Sequence, residues 1–146
     1  MVRVMDNIVL NVEDVDGMMA FYTGVIGLSP ERFEEFRSGQ APFPSVRIHE
    51  DTIIDLFPKS LWERTSTGPT GRPNLNHFCL AVDRAEWDNL QLRLAAHRVA
   101  IEDGPFQRWG AHGTGISIYF RDPEANLIEA RYYTGEDTKK PCLLVT

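Results

Sequence analysis

The chain has 146 residues, of which 15 are Lys or Arg and 21 are Asp or Glu, so that its formal net charge is −6. A hydrophobic fraction of 42% with 25% charged residues is ordinary for a globular protein and excludes disorder as the main state. The acidic balance argues against nucleic acid as a partner, because neutralising phosphates requires clustered Lys and Arg. A chain of this length buries roughly 70% of its unfolded surface and needs no disulfides to hold a core.

The sequence indicates neither a membrane partner nor an oxidising compartment. No apolar run approaches the roughly 20 residues that span a bilayer. The segment 1–6 lacks the apolar stretch of a signal peptide. The two cysteines, Cys79 and Cys142, lie in a strand-like run and in the C-terminal tail, which does not suggest a disulfide pair. We therefore expect a cytoplasmic protein.

The first half of the chain, a module at about 4–58, predicts the element order βαβββ. A strand near 5–12 is expected to lead into a helix that Asp14 or Asp16 caps. The buried face of this helix has apolar residues at spacings of three and four: Val15, Met18, Met19, Tyr22 and Ile26. Three strands are expected to follow, near 30–37, 44–49 and 52–58. The Ser-, Thr-, Gly- and Pro-containing residues 59–73 indicate a linker.

The second half, a module at about 74–133, predicts the same order. A strand near 75–82 precedes a helix near 84–97. The buried stripe of that helix is expected to hold Trp87, Leu90, Leu94 and Ala95. Strands are expected to follow near 99–106, 114–121 and 126–133. The tail 134–146 is polar and then apolar and has no predicted partner.

A weak internal repeat underlies the match between the two halves. Asn7–Val12 aligns with His77–Val82, and Ile53–Phe57 aligns with Leu127–Arg131. Each half is too small to close a core alone, so we expect residues 1–146 to form a single domain of two packed modules.

Four polar side chains occupy equivalent positions in the predicted strands: Asn7 and Asp55 in the first half, His77 and Glu129 in the second. An ionisable group in an apolar strand is costly unless it is paired, hydrogen-bonded or bound to a metal. One imidazole and several oxygens suit a divalent cation such as Mn, Fe, Ni, Co or Zn. Structural roles stay open: His77 could bond a backbone carbonyl, Glu129 could pair with Arg131, Arg121 or Arg47, and Asp55 and Asn7 could bond a turn or a neighbouring strand.

Five further residues are candidates for substrate binding. Arg108, Trp109 and His112 lie in or beside a Gly-rich loop that could place a cation and an aromatic face over a bound ligand. Arg47 and His49 alternate on one predicted strand, where they either line a cleft or face solvent.

Two stretches of sequence resemble the vicinal oxygen chelate superfamily, which includes glyoxalases, extradiol dioxygenases, fosfomycin-resistance transferases and bleomycin-resistance proteins. The opening stretch is Asp6-Asn-Ile-Val-Leu-Asn-Val12 with Phe21-Tyr22 and Gly27-Leu28. The closing stretch, Ser117-Ile-Tyr-Phe-Arg-Asp-Pro-Glu-Ala-Asn-Leu-Ile-Glu129, resembles the Arg-Asp-Pro-x-x-Asn-x-x-Glu hairpin of the family. Gly104-Pro105 and the glycines from 110 to 115 resemble its glyoxalase-domain-containing branch.

The resemblance implies an α+β fold in which paired βαβββ modules form a curved, half-open mixed sheet around a cleft, in a homodimer. It places the metal ligands at Asn7, Asp55, His77 and Glu129. Metal-binding members usually have His where Asn7 stands, and an Asn carbonyl is a weaker donor, which lowers the expected affinity.

The function implied by this resemblance is that of a metal-dependent enzyme acting on a small oxygenated metabolite. A bound divalent metal would act as a Lewis acid on two adjacent substrate oxygens, in a lyase or isomerase, a dioxygenase or a thiol transferase. Glu129 or Asp55 is expected to serve as general base. The alternative is a metal-free protein that sequesters a small ligand, as bleomycin-resistance members do; a degenerate structural subunit also stays open.

Overall fold

The computed structural model describes residues 5–63, 75, 77–110 and 112–135. They fall into two compact units that divide after residue 72. Each unit holds one four-stranded sheet of mixed parallel and antiparallel pairs, with helices. The expected α+β class with two βαβββ modules is confirmed. No helix in the described part of the chain is long and apolar enough to cross a membrane.

The first unit contains four strands and three helices. In chain order they are β1 (Asn7–Asn11), α1 (Val15–Gly24), β2 (Ser29–Glu31), α2 (Phe33–Arg37), β3 (Ser45–His49), β4 (Thr52–Phe57) and α3 (Lys59–Trp62). The strand order is β1-β4-β3-β2, in which β1 and β4 are parallel and the other pairs antiparallel. The first and last strands of the module are therefore neighbours.

The second unit repeats this arrangement. Its elements are β5 (Phe78–Ala81), α4 (Arg84–Ala96), β6 (Asp103–Gly110), β7 (Gly113–Arg121) and β8 (Leu127–Tyr132). The strand order is β5-β8-β7-β6, and again only the first and last strands run parallel. The internal repeat of the sequence thus corresponds to a repeated topology.

The alternation of side chains along β4 and β8 separates a core face from a polar face. Ile54, Leu56, Ile128 and Ala130 are fully buried in the cores of their units. The helices contribute Met18, Met19 and Tyr22 to one core and Trp87, Leu90 and Leu94 to the other. The odd-numbered neighbours Asp55 and Glu129 point to the opposite side of each strand. These predicted faces are confirmed, except that Ala95 is exposed and Val15 is only half-buried.

Three predicted boundaries were wrong. The strand expected at 30–37 ends at Glu31, because Arg32 adopts a left-handed conformation with φ of 58° and α2 begins immediately after it. The strand expected at 99–106 begins only at Asp103, since Val99 still bonds the end of α4 through its backbone N–H. Helix α3 occupies the start of the expected linker. The rest of that linker, except residue 75, and the tail beyond 135 lie outside the described residues.

Candidate functional site

In the first unit, Asp55 is held by two neighbouring strands. Its carboxylate is nearly buried, with 7% of the residue exposed. The Nδ2 of Asn7 on β1 donates to its Oδ2 at 3.1 Å, and the Oγ of Ser45 on β3 donates to its Oδ1 at 2.5 Å. Ser45 lies directly opposite Asp55 in the antiparallel register. The predicted pair Asn7 and Asp55 is therefore in contact, and both carboxylate oxygens have a donor.

Ser45 was not identified from the sequence. Counting outward from the turn at Glu50-Asp51 would have placed Val46 opposite Asp55. A register shift between Arg47 and His49 puts Ser45 there instead, and the residue order gives no signal for that shift.

A cavity of about 270 Å³ opens on this face of the first unit. Its lining residues are Glu31, Arg32, Phe43, Ser45, Arg47, Ile53 and Asp55. Arg47 donates through Nε to Glu31 Oε1 at 2.7 Å and through Nη1 to the carbonyl of Glu50 at 2.9 Å. His49 is not among the lining residues, and its side chain is 63% exposed. Of the two candidates on β3, only Arg47 reaches this cavity, and the substrate role of both stays a prediction.

In the second unit, His77 and Glu129 are in contact. The Nε2 of His77, just before β5, lies 3.2 Å from Oε2 of Glu129 on the parallel neighbour β8. The His77 side chain is 36% exposed and that of Glu129 only 3%. The sequence pattern thus identified two side chains that are in contact, with the imidazole at the surface and the carboxylate buried beneath it.

Arg131 completes this cluster. Its Nη2 donates to Oε1 of Glu129 at 2.6 Å and its Nε donates to Oγ of Ser117 at 3.1 Å. Its Nη1 lies 3.3 Å from the hydroxyl of Tyr133. Both side chains of the Glu129–Arg131 pair are buried, and of the three partners that the sequence offered for Glu129 the structure selects Arg131.

Two glycines make room for the Arg131 side chain. A Cβ at Gly110 would overlap Nη1 of Arg131, and one at Gly115 would lie 2.8 Å from its Cγ. These glycines of the β6–β7 hairpin therefore have a packing role that explains their place in the sequence.

The surroundings of Glu129 favour its ionised form. Burial by itself raises the pKa of Glu129, but the hydrogen bond from Ser117 and the charge of the Arg131 guanidinium outweigh that effect, so that its pKa lies below the usual value. Burial, followed by the charge of Glu129, raises the pKa of the neighbouring Cys79 thiol to about 12. Cys79 is therefore protonated at neutral pH and is not a nucleophile.

Tyr119 links the Gly-rich hairpin to the His77–Glu129 contact. Its ring packs edge-on against His77, with ring centres 5.9 Å apart, and its centre lies 6.0 Å from Cζ of Arg108. Arg108 is exposed on β6, with Cζ 4.6 Å from the ring centre of Phe106. His112 packs edge-on against Tyr133, with ring centres 5.3 Å apart, and within the described chain its buried Nδ1 has no hydrogen-bond partner. Trp109 belongs to β6 through its backbone pairing with Thr114. Substrate contact by these three residues stays a prediction.

The contact between His77 and Glu129 suits part of a metal site. Two ligand atoms that are neighbours on one divalent ion, with bonds of about 2.1 Å, lie roughly 3.0 Å apart in octahedral and roughly 3.4 Å apart in tetrahedral coordination. The observed separation of Nε2 and Oε2 is 3.2 Å. Among the residues that the structure describes, no group of three or more His, Cys, Asp or Glu is arranged to hold a metal ion. The pair thus supplies two donors, and a fuller set requires other donor types, such as amide, water or substrate oxygens.

Comparison with known proteins identifies relatives over most of the chain. Residues 4–130 match the family model of the Glyoxalase/Bleomycin resistance protein/Dioxygenase superfamily. The chain is 30% identical over 133 residues to glyoxalase domain-containing protein RDO1 of Mycosarcoma maydis, covering 90% of this chain and 69% of that protein. It is 31% identical over 129 residues to virulence protein STM3117 of Salmonella typhimurium strain LT2, covering 88% and 83%.

Solved structures agree with this relationship. The crystal structure of STM3117 gives a TM-score of 0.67 at 27% identity, covering 91% of this chain and 98% of that chain. The structure of lactoylglutathione lyase from Agrobacterium tumefaciens gives a TM-score of 0.60 at 25% identity, covering 89% and 92%. Sequence match and topology together confirm the resemblance of the motifs: the chain belongs to the glyoxalase/bleomycin resistance protein/dioxygenase superfamily.

Proposed function

We propose that the chain is a divalent-metal-dependent enzyme of the glyoxalase/dioxygenase type that acts on a small oxygenated metabolite. The observation that carries the proposal is the 3.2 Å contact between Nε2 of His77 and Oε2 of Glu129. Divalent metals bind deprotonated ligands, and the lowered pKa of Glu129 keeps its carboxylate ionised. Asn7 and Asp55 are the further ligands that family membership implies. The likeness to a lactoylglutathione lyase supports this reaction class.

The contacts of the proposed ligands indicate which residue holds the cation and which takes a proton. A bound metal would supply Lewis-acid activation of two adjacent substrate oxygens, the chemistry shared by lyases or isomerases, dioxygenases and thiol transferases of this type. Arg131 holds Oε1 of Glu129 and leaves Oε2 beside His77. A carboxyl with a lowered pKa is a weak proton acceptor, so Glu129 is better suited to hold a cation than to take a proton. Asp55, which lines the cavity, is then the candidate general base, a role that it would take instead of staying a ligand.

Metal binding tests this proposal directly. Chelator-treated protein is titrated with Mn²⁺, Ni²⁺ and Zn²⁺ by calorimetry, for the wild type, His77→Ala and His97→Ala. His97 is an exposed residue that caps α4 and serves as the control. We expect the wild type and His97→Ala to bind one ion with equal affinity, and His77→Ala to bind at least about tenfold more weakly. A wild type that retains none of these metals under any loading condition would contradict the proposal.

A metal-free ligand-binding protein is the second candidate, and one observation favours it. Both carboxylates already have internal partners: Arg131 neutralises Glu129, and Ser45 and Asn7 donate to Asp55. Neither group therefore requires a cation to be buried. Ligand binding that is unchanged by a chelator, without turnover, would favour this function. The homodimer and the cytoplasmic setting stay predictions under both functions.

A further inference from the structure

We propose that the cavity of the first unit binds the carboxylate of a small organic acid, with Arg32 as the residue that recognises it. The identification of that acid as the substrate rests on the proposed function. The binding itself does not, because it depends on residues of the first unit alone.

The backbone of Arg32 is the first observation. Its φ of 58° lies in the left-handed region, which costs an Arg roughly 1 kcal/mol or more. Asn or Asp at such a position can offset the cost through a local side-chain hydrogen bond, which Arg does not provide. Within the described residues, the Arg32 guanidinium forms neither an ion pair nor a hydrogen bond. The cost of this conformation is therefore not offset by a hydrogen bond of the side chain, and the side chain lines the cavity.

An aromatic platform holds the guanidinium at that rim. Cζ of Arg32 lies over the ring of Phe43, 4.7 Å from its centre. Phe43 in turn packs against Phe57 of β4, with ring centres 4.7 Å apart. A guanidinium that rests on an aromatic face keeps its in-plane N–H groups free, and these donors match the two oxygens of a carboxylate.

The other charged residues of the cavity are already engaged. Glu31 and the carbonyl of Glu50 hold Arg47. Asp55 accepts hydrogen bonds from Ser45 and Asn7. Arg32 is thus the lining cation without a carboxylate partner among the described residues. A planar anion of single charge suits one guanidinium beside two acidic groups better than phosphate, which carries more charge.

The other lining residues of the cavity indicate what the ligand carries besides its carboxylate. Ile53 offers an apolar surface, and the carboxylate oxygens of Asp55 retain lone pairs that can accept from a hydroxyl. A volume of about 270 Å³ lies just below the range of cavities for drug-sized ligands. The cavity therefore fits a small hydroxy acid, with its carboxylate on Arg32 and its hydroxyl toward Asp55.

Arg98 provides a matched control for the test. It has the same φ of 58°, is also exposed, and follows α4 in the other unit. Arg32→Gly and Arg98→Gly therefore relieve the same backbone strain and remove the same charge. The full-length wild type and both variants are titrated by calorimetry with mandelate, its neutral amide mandelamide, and inorganic phosphate, in the presence of EDTA. Thermal unfolding verifies that each variant is folded.

We expect the wild type and Arg98→Gly to bind mandelate equally well. Mandelamide binding to the wild type and mandelate binding to Arg32→Gly should each be at least about tenfold weaker, as for the loss of a charge-assisted hydrogen bond. Absence of mandelate binding, unchanged affinity in Arg32→Gly, or Arg32-dependent binding of phosphate as tight as that of mandelate would each overturn the inference. Because EDTA is present, a failure of metal binding would leave these results unaffected.

Discussion

At the scale of single residues, the candidate site depends on how the chain accommodates a buried carboxylate. Glu129 is 3% exposed and Arg131 is 6% exposed, and they form a direct ion pair. Removing one member of such a pair leaves an uncompensated buried charge, which is strongly destabilising. The pair thus allows Glu129, which we propose as a metal ligand, to stay ionised without a bound cation, which a lone glutamate at this depth could not do.

The lowered pKa of Glu129 predicts a specific dependence of stability on pH. Because the folded-state pKa of Glu129 lies below its ordinary value, the stability contributed by this ionisation is present above the ordinary pKa and is lost as pH falls through the folded pKa. We expect Glu129→Gln to be less stable than the wild type at pH 7, and this difference to shrink below about pH 5. Urea unfolding in EDTA from pH 7 to pH 3 measures it.

Glu102→Gln is the control for that experiment. Glu102 forms an exposed ion pair with Arg121, in which both side chains are 44% exposed, so its loss should change stability little. A difference between Glu129→Gln and the wild type that stays constant across this pH range would show that ionisation of Glu129 does not contribute as proposed.

At the scale of elements, the sequence predicted those with a clear apolar period. The helices α1 and α4 have buried apolar residues at spacings of three and four, and the strands β4 and β8 have core residues at alternate positions, Ile54 and Leu56 in one and Ile128 and Ala130 in the other. The short elements β2 and α2 have no such period, and the left-handed Arg32 that separates them has no sequence signature. Backbone conformations of this kind depend on surroundings that are assembled only in the fold.

The residues of the candidate site were also predictable only in part. Asp55, His77 and Glu129 could be identified because an ionisable side chain in an apolar strand is conspicuous. Their partner Ser45 is an ordinary residue whose role depends on strand register. Phe43 lies outside any strand or helix, so periodicity could not place it beside the cavity.

The start of α1 gives a prediction at this scale. The sequence offered Asp14 or Asp16 as the cap, and the structure selects Asp14, whose Oδ1 accepts from the backbone N–H of Gly17 at 2.9 Å. Asp14→Ala should lower the free energy of unfolding by about 1 kcal/mol. Asp16→Ala should change it by no more than about 0.5 kcal/mol, since its ion pair with Arg37 is exposed. Urea unfolding compares the two, and a larger loss in Asp16→Ala would contradict the assignment of the cap.

At the scale of the whole molecule, the repeat bears on whether the two units unfold together or independently. The repeat gives each unit the same sheet order and the same single parallel strand pair. A unit of about 70 residues rarely gains more than about 3 to 5 kcal/mol from its own core. We therefore propose that the chain is one cooperative domain, as expected from the sequence.

Two matched core substitutions distinguish one cooperative domain from two. Ile54 and Ile128 occupy equivalent positions of β4 and β8, and both are fully buried. Replacing either with Ala removes buried methyl groups and should lower the free energy of unfolding by about 2 to 5 kcal/mol. If the chain unfolds as one domain, each variant shows a single transition, and the two variants lower its temperature by similar amounts. Circular dichroism and tryptophan fluorescence then report the same transition. If the units unfold independently, each substitution lowers the temperature of one transition and leaves a second at the wild-type temperature. Differential scanning calorimetry of the full chain separates these outcomes, because a ratio of calorimetric to van't Hoff enthalpy near one accompanies only the first.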